Sequence, residues 1–430
     1  MALVKQGQEH KCISNQICCP LGRRVGIIHA GGLNFWKAIR ETLIASAFDL
    51  IGIAAGFLVA YEIGVFKLAP WAIALYPAVL GANGAVEGIL SGSLSTALHL
   101  GTIYPRFSKN TKNFYSLLEA VTVLTLVTGV AMSAISLVFG TVFWGITFGD
   151  FPIILVAVVS TMALGLTLLV ATVKVSFFSF KNGLDLDIMV YPVMSAVNSL
   201  FITICYIVIL YLLLVDKAIG YWLAVLVALA LFMIVIYILP KNLHETDFMK
   251  TIQEFLVTLM LVALIVNITG TLLKGISRYA NNKVEFYTVY PALIGLIGDV
   301  GAVVGSTATT KLALGMLKPK FSAIRHHTVN IMTAWLVSVV MFMILAFLSL
   351  LLHGSFTPPA FYSHLIVLIV ANVIAIALIV VLSFAVSILA FQKSLDPGAF
   401  VIPIENAFAA TIMSGALLLA LTLFNFVLVT

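Results

Sequence analysis

The chain has 430 residues, of which 62% are hydrophobic and only 9% charged, with a formal net charge of +6. Soluble domains carry about 25% charged residues, so these few cannot tile a water-facing surface; soluble enzymes, nucleic-acid binders and disordered regulators are excluded. Apolar runs of bilayer-spanning length recur throughout, which makes this an all-α polytopic membrane protein whose surroundings are a lipid bilayer.

Residues 1–35 read as a short cytosolic segment. They lack the long apolar core and small-residue cleavage site of a signal peptide. His10 with Cys12, Cys18 and Cys19 matches no standard metal spacing, so these cysteines read as reduced thiols. Cys205 lies in an apolar run. Eleven spans follow, at 41–66, 71–100, 114–146, 151–180, 188–215, 218–239, 252–274, 285–315, 328–353, 361–391 and 399–428. With the N-terminus in the cytosol, 16 of the 23 Lys and Arg fall on the inside and five on the outside, with Lys174 and Lys311 inside spans. That bias places the N-terminus in the cytosol and the C-terminus outside a cell membrane.

The chain repeats itself. Residues 76–108 read YPAVLGANGAVEGILSGSLSTALHLGTIYPRFS, and residues 290–322 read YPALIGLIGDVGAVVGSTATTKLALGMLKPKFS. At an offset of 214, Tyr76/Tyr290, Pro77/Pro291, Gly81/Gly295, Gly84/Gly298, Thr96/Thr310 and Gly101/Gly315 coincide without a gap. A second correspondence pairs Leu184, Asp185 and Pro192 with Leu395, Asp396 and Pro403. The expected organisation is a five-helix repeat over 36–215, a connecting helix and loop over 216–248, and a second repeat over 249–430. Five spans leave the chain on the side opposite its start. One connecting helix then makes the repeats parallel, about a pseudo-twofold axis along the membrane normal.

A charge deep in the bilayer costs roughly 2.5–3.5 kcal/mol on insertion scales, so carboxylates within spans are functional candidates by default. Glu87 and Asp299 are the deepest. Asn83, Glu87, Ser91 and Ser95 form one polar stripe at i, i+4 spacing, beside a small-residue stripe of Gly84, Gly88 and Gly92 suited to close packing. Asp299 aligns with Ala85, and Glu87 with Gly301. Two positions on a helix differ by about 200°, so the two acids need not face the axis symmetrically. Pro77 and Pro291 free the carbonyls of Ile73 and Tyr287, which reads either as a packing kink or as bare acceptors facing an ion pathway. Asp49, Asn198, Ser199, Glu405 and Asn406 are further polar groups within spans. Asp49 has no acidic twin in the seventh span, and reads equally as a singular functional group or a buried hydrogen bond. Glu41 and Glu254 sit at helix starts, where the dipole accounts for them. Lys174 and Lys311 read as snorkelling, and His99 as a satisfied interface residue. The motifs GxxxxGK[ST], HExxH and GxSxG are missing, which disfavours an ATP-driven motor and an intramembrane enzyme.

The two second-helix segments resemble the MgtE family of magnesium transporters. PAVLGANGAVEGILSGSLSTALHLG and PALIGLIGDVGAVVGSTATTKLALG are similar to its PALLGLxGN…SRLSTAxxxG signature. GLDLDIMVYP and SLDPGAFVIP are similar to its fifth-helix GLDPxxxxxP. Two such units in one chain look most like the family's solute-carrier branch, whereas bacterial members pair two chains. The resemblance implies transport of a divalent cation, chiefly Mg2+, as substrate and with no cofactor, along an axial path lined by second and fifth helices. The family's second-helix Asn corresponds to Asp299 and Ala85, and the acid that follows it corresponds to Glu87. Its fifth-helix aspartate would fall at Ser199 and Ala410, and its Arg at Ser93 and Thr307. Gating by the regulatory domains of bacterial members is not carried over.

The expectation is therefore a monomeric transporter holding its ion between the second and eighth spans, on Asp299 and Glu87. Asn83, Asp49, Asn198, Ser199 and Glu405 are the remaining metal-site candidates. Channel-like conduction and exchange against Na+ or H+ both fit. The alternatives are a secondary transporter of another small ionic or organic solute on the same scaffold, and a sensor or structural protein whose acids pair internally. Flux of a divalent ion separates them.

Overall fold

The computed structural model describes residues 39, 42–43, 46–182, 186–216, 219–279, 283–313, 317–321, 324–325, 328–393 and 397–429. Glu41, Leu184, Asp185, Leu395, Asp396, the N-terminal cysteines and His10 lie outside the described residues, as does the side chain of Pro192. The described residues form helices and turns with no strand, as a bilayer demands, because a helix satisfies its backbone polar groups within one segment.

Among the described residues, ten helices are long and apolar enough to cross a membrane. In chain order they are α2 (Ala72–His99), α3 (Lys112–Phe139), α4 (Phe148–Lys181), α5 (Leu186–Leu210), α6 (Ile219–Asn242), α7 (Thr246–Tyr279), α8 (Glu285–Ala313), α9 (Thr328–Leu352), α10 (Pro358–Lys393) and α11 (Pro397–Val429). They are preceded by a shorter apolar helix, α1 (Phe48–Tyr61), in the stretch read from sequence as the first span. Its continuity ends at Glu62, whose backbone leaves helical geometry before the short helix Ile63–Phe66.

The first helix of each half crosses to the second helix of the other: α1 packs on α8, and α7 on α2. Glycines make these crossings close. Gly56 lies on the Thr288 carbonyl and Gly270 on the Ala74 carbonyl, so a side chain at either glycine would strike backbone. Gly56 and Gly270 are 214 residues apart, and so are Ala74 and Thr288. The repeat recurs in hydrogen bonds, with the tyrosines 214 residues apart and their hydroxyl partners 211 apart. Tyr76 Oη lies 2.8 Å from Thr203 Oγ1, and Tyr290 Oη lies 2.7 Å from Ser414 Oγ. These four residues are fully or almost fully buried. Around this centre the fifth helices close the core, α5 against α2 and α1, α11 against α8 and α7.

Helix α6 stands apart. Only 22% of its most apolar window is buried, and Trp222, Leu226 and Tyr237 are exposed. Such an all-round apolar surface suits contact with lipid tails. One end of α6 is tied to α3, where Lys241 meets Glu119 at 2.9 Å and Asn242 meets it at 2.8 Å.

Candidate cation site

Because α1 runs antiparallel along α8, its residues meet that helix in reverse order: Gly56 at Tyr287 and Thr288, Gly52 at Ala292, and Asp49 at Gly295. Gly295 makes room for the acid, since a Cβ there would fall 2.5 Å from Asp49 Oδ1. One turn further along the same face stands Asp299. The two carboxyls are within hydrogen-bonding reach of each other. Asp49 is buried and Asp299 partly so, and the Oδ2 atom of each is buried with no hydrogen-bond partner among the described residues. No Lys, Arg or His forms an ion pair with either among the described residues.

Two carboxylates about 4 Å apart repel by about 4 kcal/mol even at an effective dielectric of 20. The pair therefore needs a proton or a cation between its oxygens. Each half of the chain contributes one acid. Asp49, which has no counterpart in the seventh span, is thus matched by an acid from the opposite half.

Glu87 occupies a different place. Its carboxylate accepts a hydrogen bond from Thr172 Oγ1 on α4 at 3.1 Å. One turn before it, Asn83 Nδ2 donates to Asn198 Oδ1 on α5 at 2.7 Å. Asn83 fits there because Gly165 has no side chain; a Cβ at that position would lie 2.5 Å from Asn83 Oδ1. Next to Gly165 the helical run of α4 breaks at Leu166, and a small cavity lined by Asn83, Glu87, Gly165 and Leu166 opens beside it. Ser199 is occupied within α5, donating to the Ser195 carbonyl at 3.0 Å.

Glu405 lies against Gly305 of α8, almost fully buried, with neither carboxyl oxygen in a formed hydrogen bond. Asn406, the next residue, reaches Gly298, the neighbour of Asp299 in the chain: a Cβ on Gly298 would lie 3.1 Å from its Oδ1.

The structure thus gives Asp299 and Glu87 different partners. The expectation has both acids holding one ion between the second and eighth spans; the structure sets Asp299 beside Asp49 and Glu87 beside Thr172. The cause is geometric: the closest crossing of α8 is with α1, whose glycines admit it, and α2 turns Glu87 toward α4. The carbonyl freed by Pro291 faces no open cavity either. Tyr287 O lies against Gly56, where a Cβ would be 2.6 Å away, a distance that suits close backbone contact of the Cα–H···O type. His99 is satisfied by the Ser95 carbonyl at 2.8 Å, and Lys174 is exposed. Sequence reasoning missed Thr172 as the hydrogen-bond partner of Glu87, and Ser383 as the hydroxyl near Glu405. The signal was present, because the 211-residue offset of the fifth helices also carries Thr172 onto Ser383 and Ser176 onto Ser387.

Among the described residues, no group of three or more His, Cys, Asp or Glu side chains gathers as a metal cluster. The acid pair supplies carboxylate oxygens only, a donor type that suits a hard cation retaining some of its water.

A family model described as MgtE, divalent cation transporter, matches residues 76–209 and 290–427, more than half of the chain. No curated protein and no solved structure matches it at a comparable level.

Proposed function

The chain belongs to the MgtE family of divalent cation transporters, and on that premise we propose that it carries Mg2+ through a seam between two like-oriented repeats, α1–α5 and α7–α11, joined by α6. In this reading α1 belongs to an eleventh crossing segment. The N-terminus is cytosolic, the C-terminus lies outside, and one chain is sufficient. The contacts repeated at 214 residues support the twofold relation, and the Lys and Arg distribution supports the orientation.

The observation that carries the site is the acid pair: Asp49 and Asp299, one from each half, each with a buried Oδ2 that no donor among the described residues satisfies. Two negative charges balance one divalent cation. Mg2+ sheds water reluctantly and binds through one or two carboxylates with retained waters, so two acids at a crossing of helices suffice. A site built across both halves also answers to their relative movement, which alternating access requires. Moving a divalent ion down 100 mV releases about 4.6 kcal/mol, taken as twice the figure for a single charge.

The test is Mg2+ flux into proteoliposomes loaded with a Mg2+-sensitive dye. Asp49→Asn and Asp299→Asn, which keep the side-chain shape, should each lower flux more than tenfold while the protein remains monodisperse. Unchanged flux in both would remove the site assignment. Absence of flux for every divalent ion in the wild type would remove the transport reading.

A further inference from the structure

Each half of the chain buries a carboxyl beside the same hydroxyl position, yet takes the acid from a different helix. In the first half Glu87 of α2 bonds Thr172 of α4 at 3.1 Å. At the offset of 211, Thr172 and Ser176 become Ser383 and Ser387 of α10. The local bonding repeats as well: Ser176 Oγ donates to the Thr172 carbonyl at 2.8 Å, and Ser387 Oγ donates to the Ser383 carbonyl at 2.8 Å. In the second half the residue equivalent to Glu87 is Gly301, where a Cβ would lie 3.0 Å from Ser383 Oγ. The acid comes instead from α11. Glu405, 2% exposed, lies against Gly305, one turn beyond Gly301. The Ser383 hydroxyl, 0% exposed, is within its reach, although neither group is in a formed hydrogen bond as a donor to the other.

A packing role does not require an acid to reappear on another helix when its own position becomes glycine. The surroundings narrow the chemistry further. Around Glu87, α4 carries Lys174 and Lys181, both exposed, and α3 carries Lys112 and Glu119, engaged with Glu245 and Lys241. On the other neighbours, α5 carries Asp187, and α7 carries Asp247, Lys250, Glu254, Lys274 and Arg278. Around Glu405, α8 carries Glu285, held by Ser355, Asp299, facing Asp49, and Lys311 beyond Gly305. Helix α10 carries His364, stacked near Phe286, and Lys393, which is exposed; α2 carries Glu87 and His99. Among the described residues none of these basic groups forms an ion pair with Glu87 or Glu405.

A buried carboxylate with only a hydroxyl beside it stays expensive as an anion. A single acid supplies one negative charge, against two at the Asp49–Asp299 pair, so it balances a proton better than a divalent ion. A proton needs one acceptor oxygen and one hydrogen-bond partner. A small cavity with a mostly apolar lining lies beside Glu87 at the α4 break, bordered by Asn83 and Glu87 as its polar groups. Helix α8 links the two kinds of site, carrying Gly295 and Asp299 against Asp49 on one face and Gly301 and Gly305 against Ser383 and Glu405 on another. A movement of α8 on filling of the acid pair therefore moves a wall of the Glu405 site.

Resting on the Mg2+ transport reading above, we propose that Glu87 and Glu405 each carry one exchangeable proton and that the protein exchanges two H+ for one Mg2+. Charge balances over this cycle: two protons leave the carboxyls as one divalent cation crosses in the opposite direction, and both acids are reprotonated on return.

The experiment uses the full chain in proteoliposomes with the potential clamped by valinomycin and equal K+. Internal pH is read with pyranine, and Mg2+ is read with a dye in parallel. An interior one pH unit more acidic should drive Mg2+ accumulation to about 100-fold, since each proton contributes a tenfold gradient, with matching alkalinisation inside. In Glu87→Gln with Glu405→Gln, Mg2+ movement should lose its response to the pH gradient. Thr172→Val and Ser383→Ala, which keep both acids, should shift the pH at which wild-type uptake is half-maximal. Mg2+ flux in the wild type with no pyranine signal and no response to the pH gradient would overturn the proton assignment while leaving transport standing. Failure of the wild type to move any divalent ion would overturn both.

Discussion

Helices α2 and α8 descend from one pattern and are used in two ways. Both carry Tyr-Pro at the start of the motif, both meet a glycine of the opposite half through a backbone carbonyl, and both fix their tyrosine to a hydroxyl on a fifth helix. Their acids differ. Helix α8 places Asp299 toward α1 and Asp49, whereas α2 places Glu87, two aligned positions later, toward α4 and Thr172. Packing demands the same steric solution twice, because each crossing must bring two backbones together. Chemistry carries no such demand, so the polar positions are free to diverge.

The comparison can be broken first at its symmetric part. Gly56→Val and Gly270→Val should be the most damaging changes, each about 3 kcal/mol or more, because the added side chain meets backbone that cannot yield. Equal loss of folded protein on size-exclusion chromatography is the expected result; tolerance of one and not the other would show the halves to be packed unequally. Next comes the pair at which the halves diverge. Gly295→Ala pushes on Asp49 Oδ1, while Gly81→Ala meets only the Val266 methyl at 2.6 Å. The first should lower Mg2+ flux about tenfold with little change in melting temperature, if the acid pair sits in the path. The second should cost about 1 kcal/mol of stability and keep flux near wild type, since a single methyl has to shift. The smallest effect is expected at the tyrosines. Tyr76→Phe and Tyr290→Phe each remove one buried hydrogen bond, worth about 0.6 kcal/mol on average between membrane helices, and thermal melts should show similar small losses.

Much of the architecture was legible in the residues. Ten of the stretches read as spans are helices long enough to cross, because an uninterrupted apolar run in lipid has only one way to satisfy its backbone. In the first, read as 41–66, the described residues hold a shorter apolar helix, Phe48–Tyr61, followed after Glu62 by the short helix Ile63–Phe66. The candidate acids were legible one by one, from the cost of burying charge, but their partners were not. Asp49 lacked a twin at its repeat position and so looked solitary, whereas the structure completes it with an acid outside that correspondence. Pro77 and Pro291 read either as packing kinks or as bare acceptors facing a pathway, and the carbonyl freed at Tyr287 is covered by Gly56.

Hydropathy, loop charge and the 214-residue repeat are properties of the chain read along one dimension, and from them the residues alone determine that this is a doubled helical membrane protein with acids in its interior. Which acid meets which depends on the rotation and crossing of each helix. Those are decided by close backbone contacts between halves, at Gly56 on Thr288 and Gly270 on Ala74, and only the folded molecule brings such distant positions to bear on where Asp49, Glu87, Asp299 and Glu405 point.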